Sequence, residues 1–308
     1  MNAGANAGAS DKGWVDVVWL LVLATIWSSS FTAIKFAVPT MPPLTLVAVR
    51  TVIAVCVLVP IMLVQGGRLP RDSKSWTIGF ALGVFGISMP FFLIGWGEQR
   101  VSSSLAAILI GIMPLATMVL AHFFNEGDRF TLAKLAGIVL GFTGIVVLIG
   151  PEALQGLGGD VVYQLAVAGA ALCYAVNAVL TRNLPSGGGG RGDSRIGRGI
   201  MVLLCGTAIT VPLALAIDGP GAIWQADTNA WLGALYLGVL PTGLATLIYF
   251  RLVEVRGASF FSYVNYLNPV FGVVLGALIL GEVLSAQAIA ALALILAGVA
   301  VTNKKRRA

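Results

Sequence analysis

Charged residues are scarce in this sequence. Of its 308 residues only 10% are charged and 58% are hydrophobic, with a mean hydropathy of +0.93, whereas soluble domains carry about 25% charged residues. So little charge does not cover the surface of a water-soluble globule, which excludes that class and predicts an all-α polytopic membrane protein. The net charge of +6 does not indicate nucleic-acid binding, because the basic residues lie in short loops and at the C-terminus.

The chain also has little of the chemistry on which catalysis and metal binding depend. Its three cysteines, Cys56, Cys173 and Cys205, fall in apolar stretches without metal-ligand spacing, so they are expected to be buried hydrophobic side chains. The single histidine, His122, lies at a predicted helix end, where a place near the membrane interface is favoured over a proton switch. Gly-x-Ser-x-Gly and Walker motifs are both missing. The sequence therefore predicts neither an enzyme nor a metal or cofactor.

Long apolar segments dominate what is present. A bilayer core about 30 Å thick needs roughly 20 apolar residues as helix. Ten segments meet this length: Val15–Phe36, Leu44–Val64, Trp76–Trp96, Ser104–Phe124, Phe130–Ile149, Val161–Leu180, Gly199–Ile217, Ala230–Phe250, Ala258–Leu280 and Leu284–Thr302. They predict a disordered cytoplasmic tail (1–14), two five-helix repeats (15–150 and 161–302), a connecting loop (151–160) and a basic cytoplasmic tail (303–308).

The positions of the basic residues predict the orientation. With ten spans, both termini lie on one side of the membrane, together with every second loop. All of the 19 Lys and Arg residues except Lys35, Arg50 and Arg100 fall on that side. Cytoplasmic loops carry the excess of positive charge, so both termini are predicted to be cytoplasmic. Lys35 and Arg50 are expected to snorkel or to pair with loops, with steering of substrate carboxylates or phosphates as the alternative.

The two halves of the chain carry matching residues in the same order. Trp76 and Gly83 in the third segment are echoed by Trp231 and Gly238 in the eighth. Further pairs are Glu98 with Glu254, Pro114 with Pro269, Glu126 with Glu282, and Trp27 and Lys35 with Tyr174 and Arg182. Because each half has an odd number of spans, the halves are predicted to be inverted relative to each other, as in secondary transporters.

This ordered set resembles the drug/metabolite transporter superfamily, in its ten-helix branch. The resemblance covers about residues 15–302 and is strongest to bacterial inner-membrane exporters of amino acids, including aromatic ones. It implies a central cavity lined by helices 1–4 and 6–9, with helices 5 and 10 as braces. Gly137-x3-Gly141 and Ala293-x3-Ala297 agree with close packing of the braces. Oligomerisation through these faces is the alternative to the favoured monomer.

Polar, aromatic and helix-breaking residues in the apolar segments predict the substrate site, because such residues are costly in hydrocarbon. They suit a zwitterion with an organic side chain, since hydroxyls and amides bind its charged ends and rings pack on the rest. The predicted substrate-binding residues are Trp27, Ser30, Phe92, Trp96, Tyr174, Asn177, Tyr249, Tyr263, Asn265 and Tyr266. The predicted kink or gating residues are Pro90, Pro114, Pro241 and Pro269.

The sequence thus predicts a secondary transporter that exports neutral amino acids or similar metabolites across the bacterial inner membrane by alternating access. Its expected partners are a small-molecule substrate and membrane lipid. The acidic residues at 16, 98, 126, 254 and 282 all lie at segment ends or in loops, whereas proton-coupled antiporters bury a titrating carboxylate. Transport without obligatory proton coupling is therefore predicted. A multidrug, nucleotide-sugar or sugar-phosphate carrier is the alternative, and a channel or an intramembrane enzyme is less favoured.

Overall fold

The structure is a computed structural model, which describes residues 13–124, 131–149, 160–182 and 195–303. The described residues form helices joined by loops, without any β-strand among them. Their bounds are α1 Gly13–Ala37, α2 Pro43–Val64, α3 Ser73–Gly97, α4 Ser103–Phe124, α5 Leu132–Ile149, α6 Asp160–Arg182, α7 Arg195–Ile217, α8 Thr228–Gly257, α9 Val264–Leu280 and α10 Ala286–Asn303. A short helix, Ala222–Gln225, lies between α7 and α8.

Eight of the described helices are long and apolar enough to cross a membrane, and α9 and α10 are shorter apolar helices. The prediction of an all-α polytopic membrane protein is confirmed. Most of the predicted tails (1–14 and 303–308) and of the connecting loop (151–160) lie outside the described residues, and so does Glu126. The division into tails, repeats and connecting loop therefore stays a prediction, and the helices include residues 13, 14, 160 and 303 at its edges.

The predicted eighth and ninth segments needed correction. Helix α8 continues beyond Phe250 to Gly257, where φ of 80° and ψ of 167° break the helical path. A helical stretch resumes up to Phe261, and α9 begins only at Val264 instead of at Ala258. Glycine adopts this positive φ without the steric cost that a side chain brings. Gly257, which the hydrophobic pattern does not reveal, therefore places the boundary between α8 and α9 later in the chain than predicted.

Side-chain caps fix the starts of several helices, α3, α4 and α8 among them. The Asp72 carboxylate accepts from the Ser75 backbone N–H at 2.8 Å at the start of α3, and Asp227 accepts from Ala230 at 2.8 Å at the start of α8. Ser102 caps α4 in the same way. Such caps satisfy N–H groups that have no partner within the helix.

Helices α3 and α8 each contain a π-helical segment at equivalent positions. In α3 it covers Val84–Ser88 and is followed by Pro90, and in α8 it covers Gly238–Leu244 and contains Pro241. Helix α4 is interrupted after Ile110, just before Pro114, and Pro269 lies inside α9. Such interruptions leave backbone groups without partners in their own helix. Three of the four predicted kink prolines, Pro90, Pro114 and Pro241, therefore lie in or beside irregular helix, and Pro269 lies inside the α-helix α9.

Close helix packing depends on glycine at several crossings. A Cβ atom at Gly137 of α5 would lie 2.5 Å from the Gly298 carbonyl oxygen of α10, and one at Gly298 would lie 2.9 Å from the Gly141 nitrogen. The prediction of close packing is confirmed for Gly137 and Gly141 of α5, but it is wrong for Ala293 and Ala297 of α10, which are exposed, because Gly298 forms the α10 side of the crossing. The cysteine prediction holds for Cys173 and Cys205, which are buried, but it is wrong for Cys56, which is exposed on α2.

The two ends of the helix bundle are packed differently. Where α1 ends and α2 begins, one large cluster of buried side chains joins α1, α2, α3, α4, α5, α6, α8 and α10. We call this end the Glu98 end, after the residue that follows α3. At the opposite end, called the Asp16 end after the first turn of α1, the buried side chains form separate clusters. One of them joins α1, α8 and α9, and another joins α2 and α7.

Candidate functional site

A buried arginine lies where α2, α3 and α8 meet. Arg50 is only 4% exposed, and its Nε and Nη2 atoms donate to the Thr242 hydroxyl at 3.2 and 3.0 Å. Its guanidinium carbon lies 3.9 Å from the centre of the Phe91 ring, in cation–π geometry. Among the described residues no carboxylate forms an ion pair with it. Arg50 therefore keeps its charge inside the bundle with only neutral groups in direct contact.

The expectation that Arg50 snorkels or pairs with a loop is wrong, and the π segment of α8 supplies the physical reason. Thr242 lies in that segment, and a Cβ atom at Gly238 would lie 2.9 Å from the Arg50 carbonyl oxygen. Since glycine has no Cβ, α8 can approach α2 closely and present a hydroxyl to the guanidinium. The same expectation for Lys35 is confirmed, since its ammonium binds loop carbonyls (below).

Two predicted aromatic residues, Trp27 and Tyr249, lie together between α1 and α8. The Trp27 indole N–H donates to the Pro241 carbonyl oxygen at 3.2 Å, a partner inside the π segment of α8. The Trp27 ring centre lies 6.2 Å from that of Tyr249 and 5.8 Å from that of Phe261, which was not predicted. Pro241 thus lies in the irregular part of α8, and its carbonyl oxygen holds the Trp27 side chain in place.

Helix α6 contributes Tyr174 and Asn177. The Tyr174 side chain is partly buried and packs against the large cluster of the Glu98 end. The Asn177 amide lies against Gly86 in the π segment of α3, where a Cβ atom would be 2.6 Å from its side-chain oxygen. The structure thus brings both residues to the side of the bundle that α3 and α6 share.

The remaining predicted residues do not gather around Arg50. The Tyr266 hydroxyl donates to the Val299 carbonyl oxygen of α10 at 2.9 Å, and Tyr263 is 58% exposed. Trp96 packs on Tyr163 near the Glu98 end, with ring centres 4.6 Å apart. The Ser30 hydroxyl lies 3.5 Å from the Ile26 carbonyl oxygen of its own helix. Half-buried positions are occupied by Phe92 and Asn265. A substrate-binding role for the predicted set stays a prediction.

Glu98 is the second buried charge-bearing residue of the site. Its side chain has 0% exposure, and neither carboxylate oxygen has a hydrogen-bond partner among the described residues. Lys35 donates instead to the backbone carbonyls of Glu98 and Val101, at 2.7 and 2.9 Å. Burial raises the pKa of the Glu98 carboxyl well above its ordinary value, while the nearby charge of Lys35 acts in the opposite direction.

The expectation that no acidic side chain is buried is therefore wrong. Glu98 follows the last residue of α3, yet the surrounding helices cover it completely. Asp16, in the first turn of α1, is 4% exposed, but it has partners in Arg251 and Arg256 at 3.8 and 3.9 Å. A residue at a helix end is buried when neighbouring helices extend past that end, and periodicity does not report this.

Glu282 closes the Glu98 end from the other half of the chain. Its two carboxylate oxygens accept from the backbone N–H groups of Ser103 and Ser104 at 2.7 and 2.8 Å. These are the first residues of α4, where unpaired N–H groups favour a negative charge. Although burial opposes the change, the hydrogen bonds from Ser104 and Ser103 lower the pKa of Glu282 overall. Glu282 therefore acts as an ionised cap in this arrangement.

Arg50 and its surroundings have the chemistry of an anion-binding site. A buried guanidinium binds a carboxylate through charge-assisted hydrogen bonds, which strengthen where water is excluded. The aromatic residues at 27, 91 and 249 add apolar surface for an organic side chain. No group of His, Cys, Asp and Glu able to hold a metal ion occurs in the described ranges. Thr242, Phe91 and Glu98 were not among the predicted site residues, and Arg50 was predicted to steer substrate carboxylates or phosphates only as the alternative to snorkelling, although a charge within the second apolar segment was a usable signal.

The sequence matches known transporters over nearly its whole length. The family model described as "EamA-like transporter family" matches residues 14–150 and 162–304. An "Uncharacterized transporter" of Archaeoglobus fulgidus is 27% identical, over 96% of this chain and 100% of that protein. A "Probable terminal-alkyne amino-acid exporter" of Streptantibioticus cattleyicolor is 28% identical, over 94% of this chain and 93% of its own length. The "Uncharacterized inner membrane transporter YedA" of Escherichia coli is 25% identical, over 86% and 83%.

A solved structure shares the fold. One crystal structure superimposes with a TM-score of 0.64 and covers 94% of this chain and 97% of that chain, at 22% sequence identity. At this level of identity the likeness concerns the fold alone.

Proposed function

The chain belongs to the EamA-like transporter family of the drug/metabolite transporter superfamily, and we propose that it exports neutral amino acids or similar zwitterionic metabolites by alternating access. Family membership makes it a multi-pass membrane transporter of small molecules. The substrate class, the direction and the mechanism belong to the proposal. So does its place in the bacterial inner membrane, which the name of the Escherichia coli relative supports.

The buried Arg50 is the observation that carries the substrate class. A cation inside the membrane region costs several kcal/mol unless it is paired or has a functional partner. Arg50 has one neutral hydroxyl and one aromatic face as its contacts, so a substrate carboxylate fits as its missing partner. The name of the amino-acid exporter that is 28% identical supports the same class.

The proposed architecture has ten spans in two inverted halves, with both termini in the cytoplasm. The family model matches in two stretches, 14–150 and 162–304, which divide at the predicted connecting loop. The π segments of α3 and α8 lie at equivalent places in the two halves. Similarly, α1 packs on α8 and α9, and its counterpart α6 packs on α3 and α4. The distribution of basic residues supports the orientation.

In the proposed mechanism the structure represents the inward-facing state. The Glu98 end, which this orientation makes external, is sealed by one continuous cluster of buried side chains and by the Glu282 cap. Away from that end the buried side chains form three separate clusters, one on α1, α8 and α9, one on α2 and α7, and one on α4, α6 and α10. A carrier closed at one end and divided at the other is the arrangement that alternating access needs.

The prediction of transport without obligatory proton coupling depended on the lack of a buried acidic group. That prediction stays untested, and its premise no longer holds, because Glu98 is buried. The monomer remains the proposed state, since Gly137 and Gly141 of α5 pack against Gly298 of α10 within one chain.

The single basic charge of Arg50 at the site argues against a carrier of sugar phosphates or nucleotide sugars. A phosphate dianion favours two or more cations, and Lys35, the other basic residue of this region, already binds two backbone carbonyls. A lipophilic cation is disfavoured by the charge of Arg50 itself. These solutes are therefore the informative competitors in a transport assay.

Counterflow into proteoliposomes tests the proposal. Vesicles loaded with unlabelled solute should accumulate labelled L-phenylalanine or L-alanine, but neither glucose 6-phosphate nor tetraphenylphosphonium. Arg50→Gln should reduce amino-acid counterflow at least tenfold, because losing the partner of a buried charge costs about 2–5 kcal/mol. Arg100→Gln is the matched control, since Arg100 is exposed in the loop after α3. Counterflow of the phosphate or the cation alone, or full amino-acid counterflow by Arg50→Gln, would contradict the proposal.

A further inference from the structure

Glu98 is a buried carboxyl group without a bonding partner. Both of its oxygens are inaccessible and lack hydrogen bonds among the described residues. An ionised carboxylate in such surroundings is strongly disfavoured, so the group takes up a proton when the surroundings stay dry. The neutral, protonated acid is therefore the form that matches the closed Glu98 end.

The charged and titratable groups around Glu98 are engaged elsewhere. From α1, Lys35 binds the carbonyls of residues 98 and 101, and beyond α9, Glu282 caps α4. Helix α6 brings Tyr163, which packs on Trp96, and carries Asp160 at its exposed start. Arg50 on α2 completes the set, because it acts on Glu98 through its charge but forms no ion pair with it.

Arg50 and Glu98 offer opposite charges within one buried region. The carboxylate of an amino acid fits Arg50, as argued above, and its ammonium group then needs an acceptor on the other side. Both residues lie along α3, because Arg50 stacks on the Phe91 ring and Glu98 directly follows Gly97, and the charge of Glu98 acts on Arg50. An ionised Glu98 facing an ammonium group would be a paired charge, whereas without substrate it would be a buried and unpaired one.

We propose that Glu98 binds either a proton or the ammonium group of the substrate. Arg50 and Glu98 then form a two-point receptor for a zwitterion, and the export of the zwitterion is coupled to proton entry. This inference rests on the proposed function. When substrate binds from the cytoplasm, the Glu98 proton leaves to the cytoplasm and the carboxylate accepts the ammonium group. When the Glu98 end opens, the substrate leaves and an external proton binds Glu98. One proton enters for each zwitterion exported, which moves one positive charge inward.

The direction of the pH effect follows from the buried carboxyl. Burial raises the pKa of Glu98, so acid favours the empty state with a protonated and enclosed Glu98. Raising the pH through that pKa removes the proton and favours the state in which an ammonium group has replaced it. Below the pKa, the apparent affinity for a zwitterion should therefore weaken by about tenfold for each pH unit.

Proton release measures the exchange directly. Purified full-length protein in weakly buffered detergent solution, with a pH-sensitive dye, receives saturating L-phenylalanine. The wild type should release about one proton for each phenylalanine bound, and Glu98→Gln should release none. Glu254→Gln is the matched control, because Glu254 is the counterpart of Glu98 in the second half but is exposed; it should behave as the wild type.

A second ligand separates the two charges of the receptor. The compound 3-phenylpropionate has the carboxylate and the ring but lacks the ammonium group. In competition assays at constant pH, Glu98→Gln should weaken phenylalanine about tenfold or more, leave 3-phenylpropionate within about threefold, and abolish the pH dependence of phenylalanine affinity. Phenylalanine counterflow by the wild type without proton release would overturn this inference and leave the proposed function standing. The lack of any amino-acid counterflow would overturn both.

Discussion

At the scale of single residues, the site depends on how a buried guanidinium is held without a counter-charge. Arg50 uses two of its N–H groups on one hydroxyl, Thr242, and places its flat face on Phe91. This arrangement orients the guanidinium and leaves its remaining donors for a ligand. Lysine does not provide it, because an ammonium group lacks the planar fork and the stacking face.

Thr242 should control how well Arg50 is positioned. Thr242→Val removes the acceptor and leaves two buried N–H donors unpaired, which costs about 1–3 kcal/mol. We expect the affinity for amino acids in counterflow to fall by roughly 5- to 100-fold. Thr242→Ser keeps the hydroxyl and should stay within about threefold of the wild type. Equal losses in both variants would show that the side-chain volume matters and the hydrogen bonds do not.

At the scale of helices, glycine and proline decide how close two helices come. The π segments of α3 and α8 each begin at a glycine crossing: a Cβ atom at Gly83 would lie 2.8 Å from the Gly206 nitrogen of α7, and one at Gly238 would lie 2.9 Å from the Arg50 carbonyl oxygen of α2. Backbone atoms do not yield as a flexible side chain does. These glycines therefore set the distance at which α8 presents Thr242 to Arg50.

Gly238→Ala should push α8 away from α2. We expect a loss of about 1–3 kcal/mol in the free energy of unfolding, as for other overpacked positions, seen as a lower melting temperature in detergent. Gly221→Ala is the control, since a Cβ atom there meets nothing within 4 Å and its φ is −79°. It should be neutral or slightly stabilising. An unchanged melting temperature in Gly238→Ala would show that the crossing is loose.

Helix existence and type were predictable, but some boundaries were not. A run of apolar residues longer than a membrane core is thick predicts a helix whatever its neighbours are. Where that helix ends depends on local backbone chemistry, such as Gly257 with its positive φ, or the cap at Asp72. Hydropathy carries no information on either, which is why the eighth and ninth segments were misplaced.

At the scale of the whole molecule, the contrast between the two ends determines the proposed transport state. One end is a continuous core to which both halves contribute, and the Glu282 cap crosses between those halves. At the other end the cores are separate. Opening the Glu98 end requires the contacts of Lys35 and Glu282 to break, so these contacts should govern how readily this end, which is external in the proposed orientation, opens.

Glu282→Gln should make the Glu98 end easier to open. The variant removes the charge of a helix cap worth about 1–2 kcal/mol, so labelling of a buried reporter should become roughly 5- to 30-fold faster. The reporter is Val101→Cys, at a position only 2% exposed, in a background with Cys56, Cys173 and Cys205 replaced by serine. A membrane-impermeant maleimide supplies the label from the external side.

A second reporter in the same background, Gln99→Cys, controls for reactivity. Gln99 is exposed in the loop after α3, so its labelling rate should not change with Glu282→Gln. Equal rates for Val101→Cys with and without the substitution would show that the Glu282 cap does not hold this end closed.

The sequence by itself determined the class and most of the helices, because apolar length and charge scarcity act on each segment independently of the others. It also predicted the contact between Lys35 and a loop and the close packing of α5 and α10. Only the tertiary structure decided which side chains meet. Arg50 and Thr242 are 192 residues apart in the chain, and no local pattern links them. The predicted repeat pairs Glu98 with Glu254, yet one is buried and the other exposed, because burial depends on the helices that surround each residue.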